Sequence, residues 1–155
     1  MRVLLVVDMQ KGFMNGEEYE NLGKKISKLI DRKYYDKYIF TKFKNDSTKN
    51  SLYQTKLNWN KLMTDAEQEF SISLPNSAVI IDKYGYGLQN EDLEYIKSLD
   101  VDEMDICGIE SEACIYAISL QLWDNGIYPN ILSKYIAGKQ NMEAVFKRQF
   151  GFIKW

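Results

Sequence analysis

The stretch DICGIESEACIYA, residues 105–117, holds both cysteines of the chain. Cys107 closes an apolar run, whereas Cys114 opens a segment patterned as a helix. A free thiol has a pKa near ~8.5 and is a few per cent thiolate at neutral pH, so a nucleophilic cysteine needs help. A helix N-terminus favours the anion, and so does a neighbouring ammonium. Jointly they can supply the roughly 2.7 kcal/mol that a two-unit fall in pKa requires. Two further residues qualify as helpers: Asp8 follows the run VLLVV, and Lys83 follows AVIID. An acid, a base and a thiol suit acyl transfer, with the carboxylate moving protons and the ammonium steadying the thiolate.

Taken singly, each residue has a plainer reading. A strand-end Asp is commonly a turn former, a Lys past a strand is commonly solvated, and a lone Cys is commonly a small buried residue. Composition sharpens the choice. The chain contains no histidine, which removes the commonest general base and the commonest transition-metal ligand. Ser-His-Asp and Cys-His sites are therefore excluded. Two cysteines without C-x-x-C spacing argue against a disulfide framework and a thiolate metal site, and point to a reducing, cytoplasmic setting.

The elements that must position these side chains follow from hydrophobic periodicity. Strands are predicted over residues 3–7, 38–41, 78–81, 104–107 and 131–135, with FIKW at 152–155 as a candidate edge strand. Helices are predicted over 17–32, 59–70, 91–99, 113–124 and 141–150, and residues 43–57 read as a long polar loop. Strands alternating with helices imply parallel pairing, hence a three-layer α/β/α sandwich with a Rossmann-like, mostly parallel sheet of five or six strands. At 155 residues, 45% hydrophobic and 27% charged, the chain fits a single globular domain over residues 1–155. A net charge of −2 with scattered lysines offers no nucleic-acid surface. No apolar run approaches the ~20 residues that span a bilayer, and Asp8 interrupts the only stretch resembling a leader. Sheets of this kind bind ligands beyond the carboxyl ends of their strands, the rim to which Asp8, Lys83 and Cys114 belong.

These residues sit in motifs with a family likeness. VLLVVDMQKGF resembles the opening strand and Asp-Met-Gln loop of the isochorismatase-like cysteine hydrolases, the nicotinamidase- and isochorismatase-related amidohydrolases. VIIDKYGYG resembles their lysine segment, and ICGIESEACIYA their Gly-Val-Asp-Thr-Asp-Ala-Cys-Val signature; DNGIYPNIL fits their approach to the fifth strand. The resemblance runs from residue 3 to about residue 151. It implies a triad of Cys114, Lys83 and Asp8, a non-proline cis peptide at Ile109–Glu110, and an oxyanion hole made by the backbone amides of Glu110 and Cys114. It further implies cleavage of an amide- or ureide-like carbon–nitrogen bond of a small molecule through a thioester, without a cofactor, in a homo-oligomer.

Departures from the family narrow this. Its nicotinamidases bind a metal through an Asp and histidines after the second strand; FKNDSTKNS here offers Asp46 alone, so no metal is expected. Isochorismatases proper lack the cysteine, and Cys114 argues against that branch. Phe13, Trp59 and Tyr86, with Tyr53, fall in or beside rim loops and are candidates for a small apolar pocket, or for plain core. Two other classes compete: a catalytically silent binding or sequestering protein on the same scaffold, and a phosphorylated receiver domain. The second is discounted because the first strand ends in one acid rather than a cluster.

Overall fold

The central strand of the sheet is also its most apolar. VLLVV forms β1 (Val3–Val7), every residue of which is buried, as a parallel strand covered on both faces requires. The computed structural model describes residues 1–151. After β1 come a 3₁₀ turn (Lys11–Phe13), α1 (Glu17–Asp31), β2 (Lys37–Phe43), and the single-turn helices α2 (Leu52–Thr55) and α3 (Asp65–Gln68). Then follow β3 (Val79–Lys83), α4 (Asn90–Lys97), β4 (Glu103–Gly108) and a π-helical turn (Ser111–Ile115). The chain continues through α5 (Tyr116–Asp124), β5 (Tyr128–Ile136) and α6 (Glu143–Phe150). All pairings are parallel, in the order β3-β2-β1-β4-β5.

Alternation along β1 sorts its side chains between two cores. Leu4 and Val6 meet Phe40, Cys107 and the apolar face of α1, formed by Leu22, Ile26, Leu29 and Ile30. Leu5 and Val7 meet Ile39, Ile106 and the residues Ile96, Ile118, Leu122, Phe146 and Phe150 brought in by α4, α5 and α6. Helices on both faces of one sheet make the three-layer α/β/α sandwich. The chain runs outward from β1 to β3, then returns past β1 to build β4 and β5. Strand order therefore reverses between β1 and β4, and the carboxyl ends of those two strands flank the crevice where such sheets take ligands.

The sheet has five strands among the described residues, within the expected five or six, and FIKW lies outside them. Elsewhere some elements differ from expectation. Of residues 59–70 only Asp65–Gln68 are helical: Leu62 has φ 59°, which breaks the helical path. Leu62 is held there by Glu67, whose carboxylate accepts its N–H at 2.9 Å, and by Gln68 Nε2, which donates to its carbonyl at 2.9 Å. Cys114 does not open an α-helix; it lies within the π turn that precedes α5. Pro129 falls inside β5, tolerated because β5 is an edge strand. Among the described residues no helix is long and apolar enough to cross a membrane.

Candidate active site

Asp8 leaves β1 with φ 50°, a left-handed turn that Asp adopts more readily than most residues. Its neighbour across the sheet secures it. Thr41 Oγ accepts the Asp8 N–H at 3.1 Å and donates to Asp8 Oδ1 at 2.6 Å, so one hydroxyl fixes both backbone and side chain. Two residues on, the buried Gln10 acts as a clasp. Its Nε2 donates to the carbonyls of Phe43 (2.9 Å) and Gln68 (3.0 Å), and its Oε1 accepts the Phe43 N–H at 2.8 Å. The end of β1 is thereby tied to the end of β2 and to the segment beyond it.

Lys83, the last residue of β3, is fully buried. Its Nζ lies 2.9 Å from Asp8 Oδ2 as an ion pair lacking hydrogen-bond alignment. The same ammonium donates to Cys114 Sγ at 3.2 Å and to the Gly85 carbonyl at 2.8 Å, and stands 4.9 Å from the centre of the Phe43 ring. The structure thus brings together the three residues singled out in the sequence. Burial opposes the charge on Lys83, but Asp8 and Cys114 outweigh it and raise its pKa above the ordinary value. Burial, then the charge of Asp8, push the Cys114 thiol up to about 12, with Lys83 pulling the other way. This corrects the expected lowering: enclosure and a carboxylate outweigh the ammonium. Cys107 packs in the α1 core, where burial raises its thiol further.

The turn between β4 and the π turn is built against β1. Gly108 has φ 114°, and a Cβ there would collide with the backbone of Val7. The Ile109–Glu110 peptide is cis. Ser111 N–H donates to the Ala137 carbonyl at 2.9 Å, and Ala137 N–H to the Gly108 carbonyl at 3.2 Å. Among the described residues the Glu110 N–H makes no backbone hydrogen bond, and the Cys114 N–H makes none outside its own turn. The two acids of the turn have structural partners. Glu110 accepts from the Tyr19 hydroxyl at 2.7 Å, and Glu112 accepts the Lys139 N–H at 2.9 Å.

Cys114 opens into a pocket of about 220 Å³ lined by Phe13, Phe43, Tyr53, Leu57, Trp59 and Tyr86. The rings of Phe13 and Trp59 stack at 6.0 Å, and Tyr53 packs against Phe43, Trp59 and Tyr86. Phe13, Trp59, Tyr86 and Tyr53, candidates from sequence, all line this pocket, while Phe43 and Leu57 complete it. The Asn45 side chain sets the wall in place. Its Nδ2 donates to the carbonyls of Trp59 (3.0 Å) and Lys61 (2.9 Å), and its Oδ1 accepts from Gln54 (3.3 Å). Thr41 and Asn45 were missed in the sequence, where a lone hydroxyl or amide carries no periodic or motif signal; Gln10 stood in the Asp-Met-Gln motif without a task that the sequence could assign.

The isochorismatase-domain family model matches residues 2–146. No curated protein matches the chain. Solved structures do. The pyrazinamidase of Pyrococcus horikoshii in complex with zinc superposes with a TM-score of 0.81 at 22% identity, covering 99% of this chain and 97% of that one. An N-carbamoylsarcosine amidase from Thermoplasma acidophilum gives 0.80 at 15% identity, covering 99% and 95%. A pyrazinamidase/nicotinamidase from Streptococcus mutans gives 0.82 at 15%, covering 99% of each. At these identities the likeness is one of fold. The residues here do not fit a zinc ion like that of the Pyrococcus protein: the chain has no histidine, and no three Cys, Asp or Glu side chains converge among the described residues. Past β2 the Asp46 carboxylate is occupied by the N–H and hydroxyl of Thr48.

Proposed function

The chain belongs to the isochorismatase-domain family, and from that premise we propose that it is a hydrolase that cleaves a carbon–nitrogen bond of a small molecule with Cys114 as nucleophile. The observation that carries this reading is the ammonium of Lys83, enclosed with a carboxylate 2.9 Å away on one side and a thiol 3.2 Å away on the other. Burying an ion pair rarely stabilises a fold beyond what apolar residues of the same volume would contribute. A polar trio at the reversal point of the sheet therefore favours chemistry over packing.

The high pKa of the thiol and its role as nucleophile are compatible. Releasing its proton to water would leave the enclosed site with a net negative charge, which burial penalises. Handing that proton to Asp8 keeps the site neutral overall, as Lys83 stays charged beside the new thiolate. Sulfur then attacks the carbonyl carbon, and the oxyanion is received by the N–H groups of Glu110 and Cys114. Asp8 returns its proton to the departing amine, leaving a thioester on Cys114. Water then attacks the thioester, Asp8 takes a proton from that water, and the acid departs as the thiol reforms. Both cysteines are free, which supports a reducing, cytoplasmic setting.

Alkylation of Cys114 read by peptide mass, beside ammonia release from a panel of simple amides, tests this reading. Lys83→Ala should slow alkylation at pH 7–8 by about tenfold, because the thiolate loses its cation. Asp8→Asn should speed alkylation, since the charge opposing the thiolate is gone, yet abolish amide turnover. An Asp8→Asn enzyme that still releases ammonia sinks the proposed mechanism. A wild-type protein that retains amides without cleaving them belongs to the binding-protein class instead.

A further inference from the structure

Every side chain lining the Cys114 pocket, the thiol apart, is an aromatic ring or a leucine. The two ionised groups behind it are paired with each other. Lys83 is shared among Asp8, Cys114 and the Gly85 carbonyl, while Asp8 Oδ1 takes the Thr41 hydroxyl and Oδ2 faces Lys83. Their opposite charges offset, so neither stands as an unpaired counter-ion for a ligand. The charged residues of this rim stand elsewhere: Lys61, Glu110, Glu112 and Lys139 line a second cavity, of about 240 Å³, that also takes in Phe13 and Trp59. The stacked Phe13 and Trp59 rings are thus common to both cavities, and the charged side chains line the second rather than the first.

We infer that the substrate is a small, uncharged carboxamide whose acyl group is a hydrocarbon, branched aliphatic or phenyl. This rests on the hydrolase reading above and specifies its substrate class. A carboxylate or ammonium on the acyl group would be enclosed by rings without a counter-ion, a cost that burial of an unpaired charge makes prohibitive. A ring nitrogen gains no metal contact either, because the residues past β2 do not fit one. Size limits the choice as well. About 220 Å³ is below the roughly 300–1,000 Å³ of sites for drug-sized ligands, so one ring or a branched chain of similar bulk fills it. Aromatic faces reward such a group through area and ring contacts.

Two readouts separate this inference from the reading beneath it. The first is alkylation of Cys114 by neutral iodoacetamide and by anionic iodoacetate, each rate normalised to that of glutathione. Cys114 should prefer iodoacetamide at least tenfold more than glutathione does. A preference for iodoacetate would show that Lys83 is free to pair with an anion and would overturn the inference. The second is ammonia release from benzamide, isobutyramide, nicotinamide and succinamate. Benzamide and isobutyramide should have the highest kcat/KM, nicotinamide several-fold less, and succinamate at least 100-fold less. Succinamate or nicotinamide as the best substrate overturns the hydrocarbon class and leaves the hydrolase standing. If no amide is cleaved, the hydrolase reading falls, and the haloacetyl pair alone decides what the pocket accepts.

Discussion

Thr41 makes the two oxygens of Asp8 unequal. Oδ1 is held by the hydroxyl, whereas Oδ2 faces Lys83 with no hydrogen-bond partner among the described residues. That leaves Oδ2 as the oxygen able to receive a proton from sulfur, and makes Thr41 a positioning residue. Thr41→Val, which keeps the shape and removes the donor, should therefore lower kcat by about tenfold with KM little changed. Thr41→Ser should restore it. An unchanged kcat in the valine variant, with its fold intact by circular dichroism, rules the role out. Asp8 and Lys83 were legible in the sequence because they follow apolar runs, Cys114 because it opens a segment patterned as a helix, and all three because they carry reactive groups. Thr41 was not. Its pairing with Asp8 depends on the register that sets Val7 opposite Thr41, and register is a tertiary property.

At the level of elements, the strands were readable and the connections much less so. β1 and β3 announce themselves by β-branched, apolar runs, and α1 by its spacing and charge order. Residues 59–70 carry Trp59, Leu62, Ala66 and Phe70 at helical intervals, yet contacts from Glu67, Gln68 and Asn45 hold them in another path. Tertiary hydrogen bonds outweighed a weak local preference. The turn after β4 depends on one residue without a side chain. Gly108→Ala should cost about 3 kcal/mol or more, since the position combines a positive φ with direct collision against β1. Thermal unfolding measures the loss, and a fall in Cys114 alkylation selectivity should accompany it. A variant as stable as the parent would mean that β1 and β4 can separate at that point.

Over the whole molecule, the parallel sheet with reversal between β1 and β4 explains why residues far apart in sequence meet at one rim. That architecture followed from the alternation of strands and helices, and the location of the site followed from the architecture. The donor chemistry of the chain was equally legible: a sequence without histidine has little with which to hold a transition metal. Dialysis against a chelator should leave amide hydrolysis unchanged within twofold, and added zinc should not raise it. Activity lost to the chelator and regained with metal would show donors assembled from another source. The pocket was legible in part: Phe13, Tyr53, Trp59 and Tyr86 were candidates by their place in rim loops, whereas Phe43 and Leu57 were not, because their part in it depends on loop paths fixed by Gln10, Asn45 and the positive φ of Leu62.

The Asn45 clasp has one more consequence. It gathers the carbonyls of Trp59 and Lys61 and the amide of Gln54 onto a single side chain, so much of the span that walls the pocket is fastened at one rivet, while Asp8 and Lys83 ride on strand ends and Cys114 on the π turn. Chemistry and selectivity are thus carried largely by different segments. Leu57 and Trp59 are the positions at which drift or an engineer would first re-shape the acyl pocket, provided that the asparagine stays.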